Sequence, residues 1–201
     1  MPIDSILALL GILLAASWTP GPNNMMLAAS GVNYGLRATW PHIMGVFTGF
    51  GFMIFAIALG LGEVFTRSPL LHEALRWGGA LMLVWVAWKI ATARRPGEAG
   101  AASRPFTYWQ AAAFQWVNPK AWIMSISISA QFLTPEAPVQ GAVIMAGVAM
   151  VAGASSAMGW AWFGMILARW LHTRVRLRLF NWSMAGLILL GVAVVLFGGL
   201  R

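Results

Sequence analysis

Residues 5–36 carry no charged side chain, and neither do residues 137–168 or 179–200. Residues 38–62 hold only a histidine, His42, and residues 77–88 hold no charge between Arg76 and Lys89. Residues 105–135 hold Lys120 alone. A helix crosses a bilayer with about 20 mostly apolar residues. Backbone in hydrocarbon must satisfy its own hydrogen bonds, and an unbroken apolar run does so as a helix. The pattern therefore predicts an all-α integral membrane protein. Its six transmembrane helices lie near 4–30, 42–63, 71–91, 107–133, 140–167 and 180–199. The third run is the weakest, and a five-span chain with that segment lying on the surface is the rival reading.

Composition agrees. Only 9% of the 201 residues are charged and 60% are hydrophobic, with mean hydropathy +0.75. A soluble domain carries roughly a quarter charged residues, so this chain lacks the polar groups to cover its own surface. There is no cysteine, which excludes disulfides, thiolate metal sites and thiol redox chemistry. Three histidines and five acidic residues give little for a metal centre or other cofactor. The net charge of +8 resides in short segments between apolar runs and reads as an orientation signal, not a nucleic-acid surface. Residues 5–16 resemble a signal-peptide core, but no Lys or Arg precedes them, so they are read as mature helix.

Arg37, Lys89, Arg94, Arg95, Arg104, Arg169, Arg174, Arg176 and Arg178 fall on one side of the six-span layout. Arg67, Arg76 and Arg201 fall on the other. The positive-inside rule then puts both termini outside. Trp40, Trp109, Trp170 and Trp182 stand at span ends, as interfacial belt residues do. The stretch 92–106 has linker composition and divides the single membrane domain into half-repeats 1–91 and 107–201.

Two runs are interrupted. Pro20, Gly21 and Pro22 precede Asn23 and Asn24 in the first, and Asn118, Pro119 and Lys120 sit mid-way in the fourth. Proline removes a backbone donor and clashes with the carbonyl four residues back. The groups left unpaired survive at membrane depth only inside protein or beside a wet cavity. Lysine at the bilayer centre costs about 2.5–3.5 kcal/mol on insertion scales. Each half has three spans and an interrupted first span, and an odd number of spans inverts one half against the other. That is a 3+3 inverted repeat with broken helices 1 and 4, an arrangement that places a binding site where the breaks meet.

The residues that carry this pattern resemble the LysE/RhtB family of amino acid exporters. Pro20-Gly21-Pro22-Asn23, Gly45 and Gly49 in the second run, and Asn118-Pro119-Lys120 are where that family has its motifs, and the likeness covers the whole chain. The resemblance implies a bacterial inner-membrane carrier that expels amino acids, generally as antiport with protons. The physics is compatible. Amide N–H groups at the helix start near Asn23 suit a carboxylate, and carbonyls freed by Pro20 and Pro22 suit an ammonium. Lys120 would attract the carboxylate or titrate during transport; a snorkelling or topogenic role is the competing reading.

No acidic residue lies mid-span, which favours an uncharged amino acid over a basic one. Trp18, Trp116 and Trp122 flank the breaks and either shape an apolar pocket or pack. Gly45, Gly49 and Gly51, and Gly147, Gly153 and Gly159 with their neighbouring alanines, form small-residue faces that let helices approach closely. Close packing on the broken helices, gating, and homodimerisation are each compatible with such faces. Three other readings compete: a transporter of another small solute or cation, a non-transporting scaffold, and a membrane enzyme. Divalent cations want carboxylate, His or Cys ligands, and none stands at depth. The enzyme reading lacks a His or Asp beside a serine, since His42, His72 and His172 fall in or near the loops of this layout.

Overall fold

The structure, a computed structural model, describes residues 1–93, 104–134 and 136–197. Residues 94–103 of the expected linker, with Arg94, Arg95 and Glu98, lie outside the described residues, as do Arg201 and the side chain of His72. Among the described residues there is no β-strand. The helices are α1 (Ile3–Trp18), α2 (Pro22–Ala56), α3 (Gly62–Arg67), α4 (Pro69–Ala91), α5 (Tyr108–Phe114), α6 (Pro119–Phe132), α7 (Pro138–Leu167) and α8 (Arg174–Phe197). A π-helical turn, Ile57–Leu61, joins α2 to α3, and a 3-10 turn, Gln115–Val117, follows α5.

Three described stretches are long and apolar enough to cross a membrane: Pro22–Leu61, Pro138–Leu167 and Arg174–Ala193. Ile3–Trp18 is apolar but shorter. The first stretch is not one rod. Gly35 has φ 76° and ψ 171°, a conformation open essentially to glycine alone. Across it, the hydroxyls of Ser30 and Thr39 lie 2.8 Å apart. Nine residues of continuous helix would rise about 13 Å, so the chain folds back at Gly35. α2 is thus two arms, residues 22–34 and 36–56. The expected spans 4–30 and 42–63 differ accordingly: a glycine turn replaces the loop 31–41, and the second arm runs through Pro41. That proline loses only the bond to the Arg37 carbonyl, early in the arm. α8 likewise starts at Arg174, before the expected 180, because its first turns carry basic side chains with long apolar stems.

The two arms pack on α7, α1 packs on α7, and α4 pairs with α8. Where α2 crosses α7, a Cβ on Gly31 would overlap the Ala161 carbonyl, and one on Gly164 would overlap that of Ala28. The backbones therefore touch directly, which is how helices associate where lipid offers no hydrophobic drive. One buried apolar cluster joins the first arm of α2 with α4, α5, α7 and α8. A second joins α1, the second arm, α6 and α7. Leu7, Phe52, Leu81, Ile123, Val151 and Leu190 point outward and are exposed. So many outward-facing apolar side chains from separate helices need lipid as their solvent. Trp40, Trp109, Trp170 and Trp182 are exposed on the same outer surface.

Candidate functional site

α1 stops at Trp18 because Pro20 and Pro22 have no N–H to donate back. Thr19 and Gly21 are extended (φ −60°, ψ 128° and φ −165°, ψ 176°), and α2 begins at Pro22 in the first helical position, where a missing N–H costs nothing. The second interruption has the same construction. The 3-10 turn after α5 ends at extended Asn118 (φ −88°, ψ 109°), and α6 begins at Pro119. Here the Asn118 side chain caps its helix by accepting the Lys120 N–H at 3.2 Å. Gly21 offers α2 no such cap.

Side chains from the two breaks reach each other, although 92 and 101 residues separate the partners. Asn23 donates through Nδ2 to Gln115 Oε1 at 2.9 Å. Lys120 Nζ donates to the Thr19 carbonyl at 2.6 Å. The carbonyls expected to be free at the end of α1 are in fact taken. Ser17 O accepts from Asn24 Nδ2 at 2.9 Å and from Ser156 Oγ at 2.7 Å. Thr19 O accepts from Asn24 Nδ2 at 3.0 Å as well as from Lys120. Carbonyls left without a helical donor at a chain break seek other partners, and the nearby amide, hydroxyl and ammonium satisfy them.

Between the breaks lies a cavity of about 50 Å³, room for several waters. Ser17, Gly21, Pro22, Asn23, Asn24, Gln115, Asn118, Lys120 and Ser156 contribute to its wall, and Val46, Phe50, Met124 and Gly153 make it partly apolar. No acidic residue is among the described residues lining it. The starts of α2 and α6 both open onto it, so two positive dipole ends converge with the half-buried Lys120 ammonium. Asn23 Oδ1 is buried there with no partner. The chemistry on offer is strong for an anion. For an ammonium there is the unpartnered Asn23 oxygen and, behind the lining residues Asn24 and Lys120 that hold it, the Thr19 carbonyl. Among the described residues no group of three or more His, Cys, Asp or Glu is placed to hold a metal ion.

Of the singled-out glycines, Gly153 is among the described residues lining this cavity, and most of the others set helix contacts. A Cβ on Gly45 would overlap the Tyr108 carbonyl, and one on Gly49 would sit 2.7 Å from the Ala112 Cα, so the second arm of α2 lies against α5. Gly153 faces Phe47 Cβ at 3.2 Å, and Gly159 lies over the Trp18 ring. Gly147 faces no neighbour within 4 Å. Trp18 donates to Ser155 Oγ at 3.3 Å, and Trp122 donates to the Trp116 carbonyl at 2.8 Å. Both tryptophans thus brace the ends of the broken helices; neither lines the cavity.

Sequence reasoning missed Gln115 as a site residue. An amide three residues before Asn118 in an apolar run was a signal, but its partner Asn23 could not be read from spacing. Ser156, too, was not singled out for the site, and its hydroxyl bonds the end of α1. His42, expected in or near a loop, is only 1% exposed, on the second arm of α2.

Comparison with known proteins agrees with this construction. The LysE type translocator family matches residues 14–198. A cysteine/O-acetylserine efflux protein of Shigella flexneri serotype 5b (strain 8401) is 29% identical over 168 residues, 79% of this chain and 85% of that protein. The protein of the same description in Escherichia coli (strain K12) is 29% identical over 167 residues, 78% of this chain and 85% of its own length. No solved structure matches. With the match running almost end to end and taking in both breaks, the chain belongs to the LysE type translocator family and is a transporter, not an enzyme.

Proposed function

We propose that the protein exports amino acids with uncharged side chains across the bacterial inner membrane, in exchange for protons, through the cavity between its two helix breaks. The observation that carries this reading is the Lys120 ammonium on the Thr19 carbonyl, a cation from one break docked in the other. It occupies the place a substrate ammonium would take. An arriving zwitterion offers Lys120 its carboxylate and Thr19 its own ammonium, so binding exchanges the bond from Lys120 to a neutral carbonyl for an ion pair, and the substrate ammonium takes over that carbonyl. The amides at the start of α2 add to the pull on the carboxylate. If Lys120 instead gives up its proton on leaving Thr19, substrate and proton alternate at one place, which is antiport.

The absence of acidic residues among the described lining favours an uncharged side chain, and relatives are described as cysteine/O-acetylserine efflux proteins, named for two such amino acids. The pairing of elements supports an inverted 3+3 repeat of 1–91 and 107–201. α1, break and first arm correspond to α5, break and α6; the second arm corresponds to α7, with which it packs; α4 corresponds to α8, with which it packs. In this arrangement Pro20, Gly21, Pro22, Asn23, Asn24, Asn118, Pro119 and Lys120 form the substrate site, and Gly45, Gly49 and Gly153 form seams along which the arms slide. The basic segments put both termini outside.

The test is a proteoliposome screen. Vesicles loaded with labelled cysteine, O-acetylserine, serine, leucine and lysine receive a pH gradient. Gradient-driven release of one or more uncharged amino acids, lost in Lys120→Met, supports the proposal. Release of lysine alone, or none above empty vesicles, refutes it.

A further inference from the structure

A second, smaller cavity of about 30 Å³ lies between the first arm of α2, the second arm, α4 and the segment entering α5. It shares the first arm with the break site. Asn24 faces one cavity and Asn33 the other, and nine helical residues separate them by about 13 Å. His42, Lys89 and Arg104 line the second cavity, and no acidic residue is among the described residues there. His42 is 1% exposed, and both its ring nitrogens are buried without a hydrogen-bond partner. Lys89 Nζ stands 4.9 Å from the centre of the Phe106 ring, whose centre is 5.3 Å from that of His42. Lys89 makes no salt bridge among the described residues; it rests on the Phe106 and Trp85 rings.

A buried imidazole normally has at least one nitrogen bonded. The neutral ring carries one N–H donor and one acceptor; here the ring lines a hollow flanked by two basic side chains, and neither nitrogen has a partner. Asn33, on the same wall, is already committed to Ala29 O and Asn181. What such a hollow lacks is an acceptor with negative charge. Its volume admits about two water-sized groups, the two oxygens of a carboxylate.

We propose that the pocket of His42, Lys89 and Arg104 is a carboxylate-binding station, where the substrate amino acid is held by its carboxylate before it passes along the first arm of α2 to the break site. The proposal rests on the transport reading above and adds a second place on the path. Lys89 and Arg104 draw the anion in, the His42 N–H fixes its orientation, and the aromatic wall excludes the side chain's solvent. On the positive-inside layout the station faces the cytoplasm, where exported substrate enters.

The test uses the whole protein in phosphatidylcholine nanodiscs, labelled with ¹⁵N-histidine. The His42 ring resonances are assigned by their loss in His42→Asn. Acetate is the carboxylate probe and methylammonium the cationic control. We expect acetate to shift both His42 ring nitrogens saturably, Lys89→Gln with Arg104→Gln to weaken that at least ten-fold, and Lys120→Met to leave it unchanged. No shift with acetate, or an equal shift with methylammonium, overturns the station. So does a shift produced by phosphatidylglycerol and not by acetate, which makes the pocket a lipid headgroup site. In vesicles, the Lys89→Gln, Arg104→Gln pair should raise the half-saturating substrate concentration at least ten-fold while lowering the maximal rate less. An unchanged half-saturation with robust transport sinks the station alone; no transport by the unaltered protein sinks the parent reading.

Discussion

The bond from Asn23 to Gln115 is the most direct check that the two breaks touch. Asn23→Ala removes a neutral hydrogen bond of 2.9 Å, and it strands Gln115 Oε1 on a side chain that is 1% exposed. A net bond contributes about 0.5–1.5 kcal/mol, and a stranded buried acceptor costs about 1–3 kcal/mol. Asn23→Ala should therefore destabilise by about 1–3 kcal/mol. Gln115→Ala should cost more, since it also removes the bond from Nε2 to the Ala111 carbonyl at 2.9 Å and opens space in the core. In the double variant nothing remains to be stranded, so the loss should fall short of the sum of the singles by about 1 kcal/mol. Interhelical bonds in membranes couple by about 0.6 kcal/mol on average and up to 1.7, which brackets that figure. The assay is reversible unfolding in mixed detergent micelles, followed by circular dichroism, for all four proteins of the cycle. Additivity within about 0.3 kcal/mol, the behaviour of residues that do not meet, would refute the contact between breaks.

Other outcomes follow from the same packing. Gly31→Ala places a Cβ into the Ala161 carbonyl and should cost about 1–3 kcal/mol as overpacking, whereas Gly11→Ala, with no heavy atom within 4 Å, should stabilise α1 by about 0.5–1 kcal/mol; melting in detergent separates the two. Gly35 has open space around it, so Gly35→Ala should lose about 1–3 kcal/mol by backbone strain alone, and Gly35→Asn should do no better, because ψ 171° is outside the left-handed helical region that Asn tolerates. Asn24→Ala removes one donor from each of the Ser17 and Thr19 carbonyls, which keep Ser156 and Lys120, and losing two bonds of about 0.5–1.5 kcal/mol each should lower stability by about 1–3 kcal/mol, with Asn24→Asp no rescue, since a carboxylate cannot donate to either.

The helical class and both breaks were legible because proline acts on its own backbone. Pro20, Pro22 and Pro119 lack a donor whatever surrounds them, so the places where α1 ends and α6 begins follow from local chemistry. The turn at Gly35 was less legible. Glycine permits its backbone angles without requiring them, and the exposed Arg37 was the louder marker. Least legible were the contacts across the halves. That Lys120 docks on Thr19, or that Gln115 meets Asn23, depends on how the helices pack. No spacing along the chain encodes the engagement of the freed α1 carbonyls by Asn24 and Ser156. His42 was misjudged for the same reason: it stands beside Pro41 at what reads as a span end, yet α4 and Phe106 cover it.

The central claim is that the cavity recognises both ends of a zwitterion, the carboxylate by Lys120 and the start of α2, the ammonium by Thr19. It is tested by competition against the amino acid that the vesicles release, using that amino acid's N-acetyl derivative, which lacks the ammonium, and its methyl ester, which lacks the carboxylate. The account predicts that in the Lys89→Gln, Arg104→Gln protein, whose carboxylate station is disabled, neither derivative inhibits at a hundred-fold excess, while the unmodified amino acid inhibits fully. Equal inhibition by either derivative would contradict it.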